Sequence, residues 1–421
     1  MNLFDSVGIN LNETDYVSPY TKQTFNSFEE MEEFFDSLND EQYHKASQDD
    51  ICTPMLCVKT MLDYVPEELW KRKGLKILDP CAGNGNFGAY AATKTKMDNI
   101  YFNELSYIRY ANCKAILDPK HIANCDAFYP NEEFDIKYDL IMANPPYSGG
   151  GNKNQSLSNE FIELGISMLK DKGYLCFITP NNWMTYNNNN PTLKKLLTLG
   201  SFLVIDNDAK KYFPGVGSSF TIIVWQKSVF DNKTYVRNNF LLKDEQFNVS
   251  IPNNLHFVPL YLSQTVIDLV IKLIQEEENG FNYRCDLHNF TKKDLLSDIQ
   301  DEEFKYPTIH TARKTRYAKI KQDIFDKYVI IIPLSTYYVP YIVTGYNTTQ
   351  SVGYFAFDTK EEAEKHLATI TKDYYKVIVH LTRYGNFNNI MVLKHLRFNA
   401  KPKLTEKEKA DIAALVSKIK Y

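Results

Sequence analysis

Short apolar runs alternate with amphipathic stretches from residue 51 to about residue 227, and this alternation constrains the fold more than any other feature. The apolar runs are four to six residues long, which is the length of a buried strand. The stretches at 58–64 and 161–169 instead repeat their apolar residues at helical spacing. Apolar strands that alternate with helices predict an α/β fold with a doubly wound, mostly parallel sheet. The predicted strands are 75–78, 99–102, 138–142, 174–178, 202–205 and 220–225.

The same pattern divides the 421-residue chain into three predicted domains. Residues 1–45 form an acidic segment with a helical repeat in Phe28, Met31, Phe34, Phe35 and Leu38. Residues 46–230 carry the alternation, and residues 231–421 form a predicted α+β domain that is rich in Asn and Tyr. In this last domain we expect helices near 264–276, 360–376 and 404–419, and strands at 329–333, 352–357 and 390–393.

Charge is distributed unevenly along the chain, although the net charge is only −4. Residues 1–50 carry 12 acidic side chains against 2 basic ones, whereas residues 305–421 carry 20 basic side chains against 10 acidic ones. A locally basic region attracts phosphates whatever the net charge of the protein is. The C-terminal quarter is therefore a candidate nucleic-acid surface, and a solvated lysine-rich face is the alternative.

Several classes of protein are disfavoured. The longest apolar run, at 329–334, is far shorter than a membrane-spanning helix, and no signal sequence follows Met1. The seven cysteines are scattered, with no C-x-x-C pair, which favours reduced thiols and argues against a zinc site. None of the eight histidines lies beside a motif, so we predict no metal and no catalytic histidine. We expect no membrane association and a cytoplasmic location, in a bacterium or in the host of a phage or virus.

A strand that ends at Asp79 leads into a turn with Gly83 and Gly85 and then into a predicted helix. Two glycines allow a ligand to approach the backbone closely, and the helix that follows favours anionic or polar groups there. The turn is neither a six-residue dinucleotide fingerprint nor a Walker loop, because no Gly-Lys-Ser/Thr follows. Taken alone, it is a weak indication of ligand binding.

Acidic residues also follow the next two predicted strands. Glu104 ends the strand at 100–104, about 20 residues beyond the glycine turn, where a carboxylate can bind both hydroxyls of a ribose. Asp126 follows the third strand. Together with Asp79, these acids predict a nucleoside pocket at one edge of the sheet, whereas isolated acids at such positions are more often helix caps.

The fourth strand leads directly into Asn144-Pro145-Pro146-Tyr147. Two prolines fix the turn and remove two backbone N–H groups, so carbonyl oxygens and the Asn144 amide dominate this corner. Such a corner suits a planar amine, whose hydrogens would be accepted by the Asn144 side chain and the Pro145 carbonyl. Tyr147 adds a ring that can stack on a heterocycle. A tight turn without chemistry is the alternative.

With these motifs in this order, the chain resembles the class I, S-adenosyl-L-methionine-dependent DNA adenine-N6 methyltransferases of the γ class, which carry N-P-P-Y. The resemblance covers residues 45–230 well and 305–400 loosely. It implies that Glu104 binds the ribose of the cofactor and that Asp126 binds its adenine amino group. The residues that it assigns to the cofactor are Thr53, Asp79, Ala82, Gly83, Gly85, Phe87, Glu104, Asp126 and Ala127.

The resemblance also assigns the catalytic residues, which are Asn144, Pro145, Pro146, Tyr147 and Phe213. Phe213 belongs to a Phe-Pro element and would stack on the face of a flipped-out adenine opposite Tyr147. Residues 148–152, a Gly-rich stretch after N-P-P-Y, are expected to form a mobile lid or a strand-separating loop. Without the resemblance, Phe213 is only an aromatic residue before a turn, where core packing is common.

The expected substrate is double-stranded DNA, read by the C-terminal domain. Arg, Asn and Gln contact base edges, while Lys and Thr suit phosphates. The candidate DNA-binding residues are Arg313, Lys314, Arg316, Thr349, Gln350 and Arg383. A methyltransferase of RNA or of a protein glutamine, or a DNA-binding relative without activity, remains an alternative. The enzyme would belong to a restriction-modification system, with a cognate restriction endonuclease as partner, or to an orphan or viral system without one. We expect a monomer or a weak dimer.

Overall fold

The computed structural model describes residues 16–40, 52–147, 157–186, 190–214, 219–230, 233–385 and 387–419. The chain forms two compact units. The first unit comprises Met1–Trp183, Asn187–Arg237 and Gln246–Asn254. The second unit comprises Met184–Tyr186, Asn238–Glu245 and Leu255–Tyr421. The two units therefore divide inside a strand, after residue 237, whereas the sequence pattern changes at residue 230.

A nine-stranded sheet is the centre of the first unit. Its strand order is β3-β2-β1-β4-β5-β7-β6-β8-β9. The first five strands in this order are parallel, and β7 is antiparallel to both of its neighbours, β5 and β6. The predicted doubly wound, mostly parallel sheet is thus confirmed. The strands are β1 (Ile77–Asp79), β2 (Ile100–Asn103), β3 (His121–Ala123), β4 (Tyr138–Ala143), β5 (Leu169–Pro180), β6 (Gly200–Asp206), β7 (Phe220–Lys227), β8 (Lys233–Phe240) and β9 (Leu242–Ser250).

The helices Asn86–Ala91, Tyr107–Leu117 and Leu157–Met168 each connect two parallel strands, because such a connection has to cross a face of the sheet. Every residue of β4 is buried, as expected for a strand that is covered on both faces. The helices of the first unit are α1 (Phe28–Asp40), α2 (Met55–Asp63), α3 (Glu67–Trp70), α4 (Asn86–Ala91), α5 (Tyr107–Leu117), α6 (Leu157–Met168) and α7 (Pro191–Leu199).

The acidic N-terminal segment packs into the core of the first unit. The helical repeat predicted there is confirmed as α1, whose Met31, Phe35 and Leu38 are buried in the same core as the sheet. The Asp36 carboxylate accepts a hydrogen bond from the Met55 backbone N–H at 2.9 Å, at the first residue of α2. An N–H in the first turn of a helix has no partner within the helix, so Asp36 stabilises the start of α2.

The second unit combines helices with two four-stranded sheets. The strand orders are β10-β17-β14-β15 and β11-β13-β12-β16. The strands are β10 (Asn282–Tyr283), β11 (Leu296–Ser297), β12 (Tyr306–Thr311), β13 (Lys314–Ala318), β14 (Tyr328–Pro333), β15 (Tyr341–Val343), β16 (Asn347–Thr348) and β17 (Val352–Phe357). The helices are α8 (Gln264–Leu273), α9 (Lys360–Ile370), α10 (Asp373–Leu381), α11 (Ile390–His395) and α12 (Glu406–Val416).

One predicted strand in this unit is wrong. Residues 390–393 form the start of α11, because the Asn389 side chain accepts hydrogen bonds from the Met391 and Val392 backbone N–H groups and caps a helix. A four-residue apolar run alone does not distinguish a strand from a helix. The helix expected at 360–376 is divided into α9 and α10. Within the described ranges, none of the helices combines the length and apolar character needed to cross a membrane.

Candidate active site

Four polar residues follow four neighbouring parallel strands. Asp79 ends β1, Glu104 follows β2, Asp126 follows β3 and Asn144 follows β4. The carboxyl ends of parallel strands meet at one edge of a sheet, and the order β3-β2-β1-β4 places the three acids and the amide along that edge. We call this set the sheet-edge site.

The glycine turn after β1 requires glycine for two different reasons. Gly85 has φ +101°, and a Cβ there would lie 2.6 Å from the Leu117 side chain. Gly83 has φ +56°, and a Cβ there would have no neighbour within 4 Å. Open space beside an exposed backbone is what close approach of a ligand needs.

Glu104 is bound to the glycine turn. Its side chain is buried, with Oε2 accepting the Gly83 N–H at 2.8 Å and Oε1 accepting the Ser106 N–H at 2.8 Å. The Arg109 guanidinium lies 3.3 Å from Oε1. The structure therefore brings Gly83 and Glu104 together. Arg109 was missed by the sequence analysis, because nothing in the local pattern distinguishes it from a surface arginine in α5.

Asp79 is the most unusual acid of the sheet-edge site. It is fully buried, and burial, reinforced by the Glu104 charge, raises its pKa well above the usual range, although the Cys81 N–H opposes that shift. Oδ1 accepts that N–H at 3.4 Å, whereas Oδ2 has no hydrogen-bond partner among the residues that the structure describes. A buried carboxylate oxygen without a partner is costly, so this oxygen suits a cationic ligand group.

Asn103, at the end of β2, connects three of the strand ends. Its amide donates to the Pro80 carbonyl at 3.1 Å and to the Cys125 carbonyl at 3.0 Å. The Asn103 backbone carbonyl accepts the Ala82 N–H at 2.9 Å. Asn103 was not predicted as a site residue, although its position directly before Glu104 at a strand end is a sequence signal for one.

Two residues assigned to the cofactor, Asp126 and Phe87, have other contacts. Asp126 is half-buried and accepts the Phe128 N–H at 3.0 Å, and Ala127 is also half-buried. Phe87 is buried in the hydrophobic core of the first unit, where its side chain packs with apolar neighbours. The structure thus places Phe87 beside the glycine turn as a packing residue.

The corner after β4 holds the Asn144 amide in one orientation. The amide nitrogen donates to Thr53 Oγ1 at 3.0 Å, and the amide oxygen accepts the Tyr147 hydroxyl at 2.6 Å. The Thr53 carbonyl accepts the Asn86 side-chain amide at 2.9 Å. Thr53, which precedes α2 by two residues, therefore connects Asn144 with the helix that follows the glycine turn.

The aromatic residues Tyr147 and Phe213 both pack against Phe220. The Phe220 ring centroid lies 5.3 Å from each of them. Phe213 is buried, so stacking on a base would require its ring to be uncovered. Phe220 was predicted only as a strand residue. The expected lid at 148–152, and Gly215 of the Phe-Pro element, lie outside the described residues.

The six candidate DNA-binding residues fall into two groups. Arg313 and Lys314 are exposed next to each other at the turn between β12 and β13. Arg316 and Arg383 are half-buried and bound within the second unit: Arg316 donates to Asn289 Oδ1 at 2.6 Å, and Arg383 donates to the Thr336 carbonyl and to Asn388 Oδ1.

Thr349 and Gln350 differ from expectation as well. Thr349 is fully buried and its hydroxyl lies against the Ile309 and His310 carbonyls, so the prediction that it contacts DNA does not fit its place in the interior. Gln350 is half-buried, and its side-chain oxygen accepts the Asn289 N–H at 3.3 Å. Composition alone does not reveal that these polar side chains support neighbouring segments.

Comparison with known proteins adds three findings. Residues 88–211 match the family model described as Eco57I restriction-modification methylase. The chain is 24% identical over 298 residues to the type II methyltransferase M.HincII of Haemophilus influenzae, covering 63% of this chain and 55% of that protein. It is 25% identical over 128 residues to ribosomal RNA small subunit methyltransferase C of Psychromonas ingrahamii, covering 30% of this chain and 35% of that protein.

Among solved structures, a nuclease-deletion mutant of the type ISP restriction-modification enzyme LlaGI, in complex with a DNA substrate mimic, matches with a TM-score of 0.54. The match covers 93% of this chain and 56% of that chain at 13% identity, so it concerns the fold. The chain therefore shares with this enzyme the predicted α/β fold with a doubly wound, mostly parallel sheet. The resemblance to restriction-modification methyltransferases is confirmed, and the chain spans about half the length of the type II methyltransferases it matches.

This fold and these relatives imply S-adenosyl-L-methionine as the cofactor. The residues of the sheet-edge site fit it. The partnerless Asp79 oxygen suits the cofactor's ammonium group, and the open space at Gly83 suits close approach of its chain. Glu104, held by the Gly83 N–H, suits a ribose.

Proposed function

We propose that this protein is a site-specific DNA adenine-N6 methyltransferase of the restriction-modification type. The observation that carries the proposal is the Asn144 corner. The Asn144 amide nitrogen donates to Thr53, and the amide oxygen accepts the Tyr147 hydroxyl. The oxygen, rather than the nitrogen, would therefore face a substrate group beside Tyr147. An acceptor fixed in this way suits a substrate that presents N–H bonds, as adenine N6 does.

The cofactor would be bound along the sheet edge. Asp79 would pair with its ammonium group, Glu104 would accept hydrogen bonds from its ribose, and Asp126 would accept one from its adenine amino group. Leu105, directly after Glu104, is 39% exposed and would cover the adenine with apolar surface. When bound, the cofactor supplies an electrophilic methyl group.

Asn144 and Pro145 would perform the positioning step. Adenine N6 is a weak nucleophile because its lone pair is delocalised into the ring. The Asn144 side-chain oxygen and the Pro145 carbonyl would accept its two hydrogens and aim the lone pair at the methyl group, with the Tyr147 hydroxyl giving up its bond to Asn144. Positioning and fixed dipoles of this kind contribute strongly to catalysis. No general base is needed first, because the proton becomes acidic only after methylation.

Double-stranded DNA is the proposed substrate, with the second unit as the reader. The adenine would be extruded from the duplex, which costs a few kcal/mol. Stacking on Tyr147, and on Phe213 once that ring is uncovered, would offset about 1–3 kcal/mol per ring. Arg313 and Lys314 are exposed and would contact phosphates or bases. A cognate restriction endonuclease is the partner that such an enzyme implies, with the methyltransferase acting as a monomer or weak dimer in the cytoplasm.

The test is methylation of a random DNA library with labelled cofactor, followed by base analysis and site mapping. We expect N6-methyladenine at one sequence. Asn144→Ala should lower turnover by at least about a thousandfold, since it removes the acceptor aimed at the substrate, and should leave cofactor affinity within threefold by calorimetry. Wild-type turnover by this variant would remove Asn144 from the mechanism.

A second candidate function is methylation of RNA. It is favoured by the similarity of 128 residues to the ribosomal RNA methyltransferase. The same labelled-cofactor assay distinguishes the two, because label in structured RNA, with none in duplex DNA, would transfer the proposal to RNA and retain the Asn144 chemistry.

A further inference from the structure

Arg316 holds together two segments of the second unit that are separate in sequence. Its Nη1 donates to Asn289 Oδ1 at 2.6 Å, and its Nε lies 2.8 Å from Asp298 Oδ1. The residue after each of these contacts is large and apolar. Phe290 and Ile299 are each 74% exposed.

The backbone beneath these two side chains is fixed. The Asn289 N–H donates to Gln350 Oε1 at 3.3 Å, and the Phe290 N–H donates to His288 Nδ1 at 3.2 Å. The Ile299 N–H donates to Ser297 Oγ at 3.0 Å. The exposure of Phe290 and Ile299 is therefore built into the fold. Among the described residues, neither side chain is covered by apolar neighbours to any large extent, so most of its apolar surface is left for a ligand to bury.

A second cation binds Asp298, the residue before Ile299. Lys314 Nζ lies 3.0 Å from the same Asp298 Oδ1 that pairs with Arg316, and Arg313 is the exposed residue before it at the turn between β12 and β13. We call Phe290, Ile299, Arg313 and Lys314 the Phe290 patch. Asp298 is engaged by two cations, so its carboxylate opposes an approaching anion less than an unpaired one would.

We propose that the Phe290 patch contacts duplex DNA, with Phe290 against the bases or sugars and with Arg313 and Lys314 on phosphates. This inference rests on the proposed DNA methyltransferase function. Charge complementarity favours DNA as the occupant, because the exposed cations match phosphates while the exposed ring matches stacked bases. Apolar side chains that contact or wedge between base steps commonly accompany such cations.

The test uses the full chain, saturating cofactor and a labelled duplex that the wild-type protein methylates. Binding is measured by fluorescence anisotropy between 50 and 200 mM salt. Phe290→Ala should weaken binding about tenfold at each salt concentration without changing the slope of log affinity against log salt, because no phosphate contact is lost. Phe290→Leu, which keeps apolar surface, should recover part of the loss. The matched control is Phe230→Ala in the first unit, where Phe230 is 64% exposed.

Two results would overturn the assignment. The first is binding of the duplex by Phe290→Ala within twofold of the Phe230→Ala control, which would point to a protein partner for the patch instead. The second is a salt slope that Phe290→Ala lowers as much as Arg313→Ala does. This would show that the Phe290 substitution disturbs phosphate contacts rather than an apolar contact. If the wild-type protein methylates the duplex normally in the same experiment, either result rejects the patch and leaves the proposed function intact. A wild-type protein that neither binds nor methylates duplex DNA would reject both.

Discussion

The sheet-edge site and the Phe290 patch use polar side chains in opposite ways. At the sheet edge, the candidate functional groups are themselves buried: Asp79 is 0% and Glu104 is 3% exposed. Beside the Phe290 patch, the half-buried Arg316 binds Asn289, the residue before the exposed Phe290. The buried acids are thus proposed to bind a ligand themselves, whereas Arg316 supports neighbours that are proposed to bind one.

The difference follows from what each region would bind. A small ligand can satisfy a buried atom such as Asp79 Oδ2 only if the pocket is already formed around it. A long polymer instead meets a surface, so the side chains that touch it must project, and the fold supplies their supports from behind. Each prediction below tests one side of this comparison.

The largest effect is expected for Asp79→Asn. The ammonium group of the cofactor would lose a charged partner, and a charge-assisted hydrogen bond contributes about 1.5–3 kcal/mol, so cofactor affinity should fall about 10- to 100-fold. Calorimetry measures this directly. An affinity within twofold of wild type would show that Asp79 is only a buried structural acid.

In the cofactor-free protein, the same variant should instead reduce the loss of stability that accompanies rising pH. Burial raises the pKa of Asp79 in the folded state, so the unfolded chain ionises first. The contribution of this carboxyl to stability is therefore full below about pH 4, the unfolded pKa, and is lost as pH rises through the folded pKa. Asp79→Asn should lose less stability between pH 5 and pH 8 than wild type in thermal unfolding without cofactor. An identical pH dependence for the two proteins would contradict this.

An intermediate effect is expected for Thr53→Val. The variant removes the hydroxyl that holds the Asn144 amide nitrogen, and a hydrogen bond worth about 1–1.5 kcal/mol corresponds to roughly a tenfold lower kcat. Cofactor affinity should stay within threefold. Thr53→Ser keeps the hydroxyl and is the matched control. A weakened cofactor affinity with unchanged kcat would instead support the cofactor contact that the resemblance implied for Thr53.

The smallest effects compare Arg313→Ala with Arg316→Ala. Arg316 has bonds to Asn289 and to the Leu296 carbonyl, so its loss should lower Tm by about 2–4 °C. Arg313 is exposed, so its loss should leave Tm unchanged and reduce the salt slope of DNA binding by about 0.9, the value for one phosphate contact. Thermal unfolding and binding titrations over a range of salt concentrations check both. Equal Tm values for Arg316→Ala and Arg313→Ala would show that Arg316 does not support the fold and would group it with the exposed residues proposed to contact DNA.

Sequence predicts the sheet-edge site well because its residues are fixed by local signals. Asp79, Glu104 and Asn144 follow apolar runs, and the topology of a parallel sheet then brings them together. The same reasoning does not find Arg109, because an ion pair across a turn leaves no periodic trace. It also does not separate α11 from a strand, because the capping role of Asn389 decides between them.

The second unit is less predictable for a physical reason. The partners of Arg316 lie 18 to 27 residues away from it in sequence, so its inward orientation depends on tertiary contacts. Thr349 and Gln350 are polar and look like surface readers, yet they bind the Ile309 carbonyl and the Asn289 N–H. The exposure of an apolar residue such as Phe290 is not predictable from its residue type, since most phenylalanines are buried and the sequence does not distinguish the two cases.

The hydrogen bond from Met55 to Asp36 has a consequence for the order in which this chain becomes active. The ribosome makes the acidic segment before α2, but the Asp36 carboxylate caps α2, which begins two residues after Thr53. Thr53 in turn orients Asn144, which is made about a hundred residues after Asp36. Any change that detaches α1, such as a shortened start or a bulky fusion, should therefore reduce methyl transfer without touching a single residue of the sheet-edge site.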